Sequence, residues 1–138
     1  MQKGLNIMSI VIAVATENYA IIGSDGRAIC YTDNSIVTEE YNKTKRLNDH
    51  IILGCTGNAS LCEKVVSYLD TLSIPTVEEA ALHIKKFLES LQLLESDKCA
   101  FAVAGITASG HIELHSLGTQ SHLQINRMIP ASTFVYTI

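Results

Sequence analysis

The sequence lacks the patterns that mark several common classes of site. None of its four cysteines forms a C-x-x-C motif or stands at zinc-finger spacing from another. It has no Rossmann or P-loop glycine pattern and no G-x-S-x-G nucleophile elbow. His111 and His115 would share one face of a strand, but two ligands alone rarely make a metal site. We therefore expect no metal site and no cofactor.

Basic residues are scarce as well. Lysine and arginine number 10 against 14 acidic residues, for a net charge of −4, whereas nucleic-acid binding needs a basic face. No apolar run reaches the roughly 18 residues of a membrane-spanning helix. We expect neither a nucleic-acid nor a membrane partner. We also expect a cytoplasmic protein whose four cysteines stay reduced.

The first fifteen residues leave two interpretations open. Lys3 and the apolar run that ends near Val14 resemble a secretory signal peptide, with Ala13-Val14-Ala15 as its cleavage site. Polar residues interrupt that run, and cleavage there would delete the first strand of a good hairpin. We favour a single domain over residues 1–138, in which residues 1–8 are a propeptide or a mis-assigned start.

That hairpin organises the chain. The run from Ile10 to Ala15 has no polar alternation, which predicts a strand buried on both faces. A second apolar run, from Ala20 to Ser24, leads into Asp25. Between the two runs, Asn18 suits the positive-φ position of a tight turn.

The middle of the chain predicts a second hairpin followed by two helices. Strands at 43–47 and 51–55 flank a turn at Asn48-Asp49. Two sequences with the form of a capping box, at 60–63 and 76–79, each precede apolar residues at helical spacing. We predict helices near 59–72 and 76–91, packed side by side on one sheet.

The last third predicts strands again. Residues 99–107 read as a buried strand, and 111–116 alternate in a way that gives one wet face to His111, Glu113 and His115. Further strands are predicted at 123–129 and 133–138. Tight turns join most of these strands, so the sheets should be mainly antiparallel and packed on each other with helices outside.

Four segments in order resemble proteasome β-type subunits and the bacterial proteasome-related peptidases, which are N-terminal-nucleophile (Ntn) hydrolases. The resemblance is strongest from Ser9 to about Leu72. It implies an α+β fold, a four-layer αββα sandwich that is incomplete at the C-terminus. The four segments are Ser9-Ile-Val-Ile-Ala-Val, Gly-Ser-Asp25-Gly-Arg27-Ala, Asn-Lys43-Thr-Lys-Arg-Leu-Asn-Asp and Ile-Leu-Gly-Cys-Thr-Gly57-Asn-Ala.

The resemblance also implies a site. Ser9 stands where the family has its N-terminal threonine nucleophile, although a competing register puts Met8 there. The residue's own α-amine, with a pKa near 7.7 to 8.0, would take the hydroxyl proton. Lys43 would lower the pKa of that amine and Asp25 would orient Lys43. Gly57 would offer its N–H to the oxyanion, and Arg27 would play a supporting role.

Simpler interpretations of the same residues stay open. Ser9 also suits the start of a strand, Asp25-Gly26 suits a turn, Lys43 suits a solvated surface and Gly57 suits a strand-to-helix bend. We predict a peptide hydrolase that acts after removal of residues 1–8, assembles into a ring-like homo-oligomer and leaves room for an ATPase partner. The alternatives are a non-catalytic subunit or interaction module on the same fold, and a small-molecule amidase.

Overall fold

The computed structural model describes residues 5–7, 10–30, 32–130 and 134–138. Two helices stand in the middle of the chain, between strands, as the sequence predicts. The elements are β1 Leu5–Ile7, β2 Val11–Ala15, β3 Ala20–Ser24, β4 Ala28–Cys30, β5 Ile36–Thr38, β6 Thr44–Asn48, β7 Ile51–Asn58, α1 Ala59–Asp70, α2 Val77–Ser90, β8 Cys99–Ile106, β9 Ile112–Gly118, a 3-10 turn Thr119–Ser121, β10 Asn126–Met128 and β11 Phe134–Thr137.

These strands form two antiparallel sheets. The larger has the order β10-β9-β8-β7-β1-β4-β5, with β6 also paired to β7. Strands β6 and β1 share one edge of β7, because β6 pairs with its first half and β1 with its last two residues. The smaller sheet has the order β11-β2-β3.

The two helices pack against the larger sheet. Helix α1 begins after Asn58, whose side chain accepts a hydrogen bond from the Leu61 N–H at 3.0 Å. Helix α2 begins after Thr76, which accepts from the Glu79 N–H at 3.3 Å. Each cap satisfies a backbone donor that a helix leaves without a partner. The cap of α1 is thus Asn58 rather than the Ser60 that the sequence predicted, because β7 continues directly into the helix.

Two apolar cores define the layers. The larger lies between the helix pair and the larger sheet, where Phe101, Val65 and Ile84 are fully buried. The smaller lies between the two sheets and is built from small side chains such as Ala13 and Ala104. The predicted α+β class, with mainly antiparallel sheets packed on each other and both helices on one sheet, is confirmed.

The prediction that the first strand is buried on both faces is wrong. Strand β2 alternates, with Val11, Ala13 and Ala15 in the core and Ile12 43% exposed. Ile10, just before the strand, is 60% exposed. The inner face packs on the larger sheet, whereas on the outer face Ile12 is exposed and Val14 is only partly buried.

Three smaller predictions also fail. Asn18 does not have a positive φ, because a four-residue loop closed by Thr16 replaces the tight turn. Residues 123–129 form only the short strand β10, since Leu123 has left-handed backbone. Glu113 and His115 are buried rather than wet, because that face of β9 packs under α2.

Candidate functional site

The ends of two hairpins bring a buried lysine to an aspartate. Lys43, which immediately precedes β6, has a side chain with no exposed surface. Its Nζ donates to the Oδ1 of Asp25 at 2.6 Å, and the Asp25 side chain is 46% exposed. An ammonium this deep is stable as a cation only with a compensating charge. The structure thus brings together two of the residues that the sequence proposed for one site.

Backbone contacts connect this pair to the start of β2. The Ile10 N–H donates to the Asp25 carboxylate at 3.3 Å, and the Asp25 N–H donates to the Ile10 carbonyl at the same distance. Ile10 is the residue that follows Ser9 in the chain. Ser9 itself, together with Met8 of the competing register, lies outside the described residues.

The electrostatics of Asp25 favour its charged form. The hydrogen bond from Lys43 is the main cause that lowers the pKa of Asp25. Burial opposes this shift, and the Ile10 and Arg27 backbone N–H groups lower the pKa further. Asp25 is therefore ionised at neutral pH beside a lysine that is kept out of water.

Gly57 lies at the end of β7, across from both β1 and β8. Its φ of +104° is a conformation that side-chain-bearing residues rarely adopt, and a Cβ there would collide with the carbonyl oxygen of Lys98. Glycine is therefore required for the backbone path itself. The strand-to-helix bend that the sequence offered as a simpler interpretation also holds, since α1 starts two residues later.

Arg27 is less closely tied to the pair. Its guanidinium donates to Glu39 Oε1 at 2.6 Å, and both side chains are more than half exposed. Its contribution to Asp25 comes from its backbone N–H. The side chain thus anchors the segment after Asp25 to the segment before Lys43.

A cavity of about 350 Å³ lies beside Lys43. Its floor is apolar, with Leu53, Cys55 and Cys62, and its polar lining includes Tyr41 and Glu63. The Tyr41 hydroxyl donates to Glu63 Oε1 at 2.7 Å. The sequence did not predict this cavity, because its lining comes from segments that only folding brings together.

The segment before Ser9 forms a short strand within the larger sheet. On one side of β1, Asn6 pairs with Asn58 and Ile7 with Gly57. On its other side, Leu5 pairs with Cys30 of β4. Residues 5–7 therefore fill a slot one strand wide between β4 and β7. The sequence read these residues only as a propeptide or leader and gave no sign of this pairing.

Two general features of the described residues complete the description. Among the described residues, no group of three or more His, Cys, Asp and Glu side chains is arranged to hold a metal ion. None of the helices in the described part of the chain is long and apolar enough to cross a membrane.

Comparisons with known proteins bear on the whole fold. The family model described as Proteasome subunit matches residues 8–73. A crystal structure of eukaryotic HslV from Trypanosoma brucei superposes with a TM-score of 0.63 at 17% sequence identity, and the alignment covers 94% of this chain and 70% of that one. No match is found among curated proteins. The resemblance stated from the sequence is therefore confirmed.

Proposed function

We propose that this chain, which has the sequence pattern and fold of the proteasome-type Ntn hydrolases, hydrolyses peptide bonds with Ser9 as nucleophile after residues 1–8 are removed. The observation that carries the proposal is the buried Lys43 ammonium held on Asp25. Asp25 in turn holds the backbone of Ile10, the residue joined to Ser9.

In this proposal the new α-amine of Ser9 is the general base. It takes the hydroxyl proton as the oxygen attacks the peptide carbonyl, and returns that proton to the leaving amine. The Lys43 cation lowers the pKa of that amine, so that the amine is free to accept the hydroxyl proton. Among the described residues the ammonium has one hydrogen-bond partner, the Asp25 carboxylate, although it carries three donors.

Gly57 supplies the oxyanion donor. The Asn58 N–H donates to the Lys98 carbonyl on the β8 side of β7, whereas the Cys55 N–H donates to the Lys43 carbonyl on the opposite side. Backbone N–H groups alternate along a strand, so the Gly57 N–H points to the same side as that of Cys55. A donor there would stabilise charge that develops beside Lys43.

The slot between β4 and β7 supports an extended peptide as the substrate. Strand β1 occupies this slot and pairs antiparallel with β4 on one side and with β7 on the other. A peptide that took the place of residues 5–7 would have the same backbone partners, which is how a strand adds to a sheet. The side chain of that peptide nearest the cut would have the cavity beside Lys43 within reach.

A homo-oligomer is the second part of the proposal. Ile10, Ile12 and Ile21 expose large apolar side chains on the outer face of the smaller sheet and at its end. Such a face favours association. The ring-like arrangement is expected from the resemblance alone, and an ATPase partner stays a prediction.

Covalent labelling tests the catalytic role. A hydroxyl-directed electrophile such as an epoxyketone or a β-lactone should modify the processed protein once, at Ser9, and should not modify Ser9→Ala. Ser9→Thr is the matched control, because it keeps a hydroxyl at the same atom. A non-catalytic subunit predicts no labelling of any variant, and equal labelling of wild type and Ser9→Ala would also refute the assignment.

A further inference from the structure

Two of the four cysteines lie on the floor of the cavity beside Lys43. Cys55 is in β7 and Cys62 is in the first turns of α1, and both line that cavity. The Cys62 sulfur lies 3.6 Å from the carbonyl oxygen of Thr56, the residue next to Cys55. The strand and the helix therefore bring two thiols to one wall of the candidate site.

The surroundings activate one of these thiols. The neighbouring Cys62 thiol is the main cause that lowers the pKa of Cys55, and the Lys43 charge lowers it further, against burial and the charge of Glu63. The same contact with Cys55, together with burial, raises the pKa of Cys62. One thiol is thus the better nucleophile and its neighbour stays protonated, which is the arrangement of an attacking and a resolving cysteine.

We propose that Cys55 and Cys62 form a peroxide-sensitive pair whose conversion to a disulfide switches off the site beside Lys43. The switching-off rests on the proposed function, whereas formation of the disulfide does not. Hydrogen peroxide is small enough to enter the cavity, and it is the only co-reactant required.

The chemistry takes two steps. The Cys55 thiolate attacks one peroxide oxygen, so that the O–O bond breaks, hydroxide leaves and Cys55 becomes a sulfenic acid. The Cys62 sulfur then attacks the Cys55 sulfur, the S–O bond breaks, and the hydroxyl leaves as water with the Cys62 proton. The pair loses two electrons in all, and the peroxide gains them.

A disulfide here would act on Lys43 through the backbone. The Cys55 N–H donates to the Lys43 carbonyl at 2.9 Å, so a shift of Cys55 is passed directly to the residue that holds the ammonium. Joined sulfurs lie about 2.05 Å apart, closer than two thiols in contact. Bond formation therefore moves the Cys55 and Cys62 side chains toward each other at the cavity floor.

The chain provides a matched control in Cys99. It is buried in the same apolar core, and burial raises its pKa to about 12. It is not among the residues that line this cavity. Cys99 thus shares the burial of the pair but neither its activation nor its position.

The test oxidises the full chain with hydrogen peroxide and reads the products by mass. We expect a single disulfide between Cys55 and Cys62, with a mass loss of about 2 Da, in wild type and in Cys99→Ala, and no disulfide in Cys62→Ala. The wild-type result requires no variant to fold. Absence of a disulfide in wild type, or pairing of Cys55 with Cys99, would overturn the proposal.

Labelling of the oxidised protein tests the loss of activity separately from formation of the disulfide. In wild type, labelling of Ser9 should fall at least tenfold on oxidation and return when a thiol reductant is added. In Cys62→Ala, oxidation should not change the labelling. An oxidised protein that keeps its full labelling would overturn the switch. If the reduced protein cannot be labelled, the switch fails with the proposed function, and the disulfide is judged by mass alone.

Discussion

Two ion pairs in this fold bury opposite partners. In the first, the cation Lys43 is fully buried and the anion Asp25 is half exposed. In the second, Glu113 of β9 is buried, and Arg127 of β10 is 56% exposed. Arg127 binds both oxygens of Glu113, and His115 lies 3.0 Å from one of them.

The difference suggests two roles: the Lys43–Asp25 pair belongs to a candidate functional site, whereas the Glu113–Arg127 pair is structural. Glu113 is held by two side chains on the face of β9 that packs under α2, so the cluster fixes β10 to β9. Lys43 has a single partner among the described residues and lies beside a cavity. A buried charge with few partners next to open space is typical of a functional site, whereas a fully satisfied one contributes to stability and specificity.

Removal of the buried cation should have the largest effect on the candidate site. In Lys43→Ala we expect electrophile labelling of Ser9 to fall by at least about a hundredfold, because the amine and hydroxyl lose their neighbouring charge. Lys64→Ala is the control, since that lysine is exposed on helix α1 and does not line the cavity beside Lys43. Equal losses in the two variants would contradict the special role of Lys43.

The second change removes the buried anion. Glu113→Gln should lower the free energy of unfolding by about 3 kcal/mol, because it leaves Arg127 and His115 without the carboxylate. Urea denaturation measures this. Labelling per folded molecule should not change. The matched control is Glu39→Gln, whose exposed pair with Arg27 should be worth less than about 1 kcal/mol; similar losses would refute the distinction.

Acid should weaken the second pair in a defined pH range. Arg127 is the main cause that lowers the pKa of Glu113 in the fold, and His115 lowers it further against burial. Its contribution to stability is thus complete above the ordinary pKa of 4.5 and is lost as the pH falls below that value. The difference in unfolding free energy between wild type and Glu113→Gln should shrink over this range; a constant difference would contradict the assignment.

A smaller effect, on self-association, is expected from the outer face of strand β2. Strand β2, which begins beside the first pair, exposes Ile12, whereas Glu113 of the second pair lies under helix α2. We expect Ile12→Ser to weaken self-association by about 1 to 2 kcal/mol, seen by light scattering across a dilution series. Leu94→Ser, which changes an exposed leucine in a loop, should not. A wild-type protein that stays a clean monomer would refute the proposed assembly.

The sequence predicted the secondary structure better than it predicted the burial of individual side chains. Spacing alone predicts both helices, and the resemblance implies that Asp25 and Lys43 share one site, where the structure brings them within 2.6 Å. The polar alternation wrongly predicted an exposed Glu113, because its partner Arg127 and the helix that covers it are distant in sequence. The predicted burial of β2 fails for the converse reason: an apolar face predicts cover, but Ile12 on the outer face is exposed.

The intact mass of the protein isolated from its native host directly tests whether Ser9 is the nucleophile. If Lys43 and Asp25 serve an N-terminal nucleophile, the mature chain must begin at Ser9, because only there does the serine have a free α-amine to act as base. A mature mass that retains residues 1–8 would contradict the catalytic role of Ser9 and favour a non-catalytic subunit on the same fold.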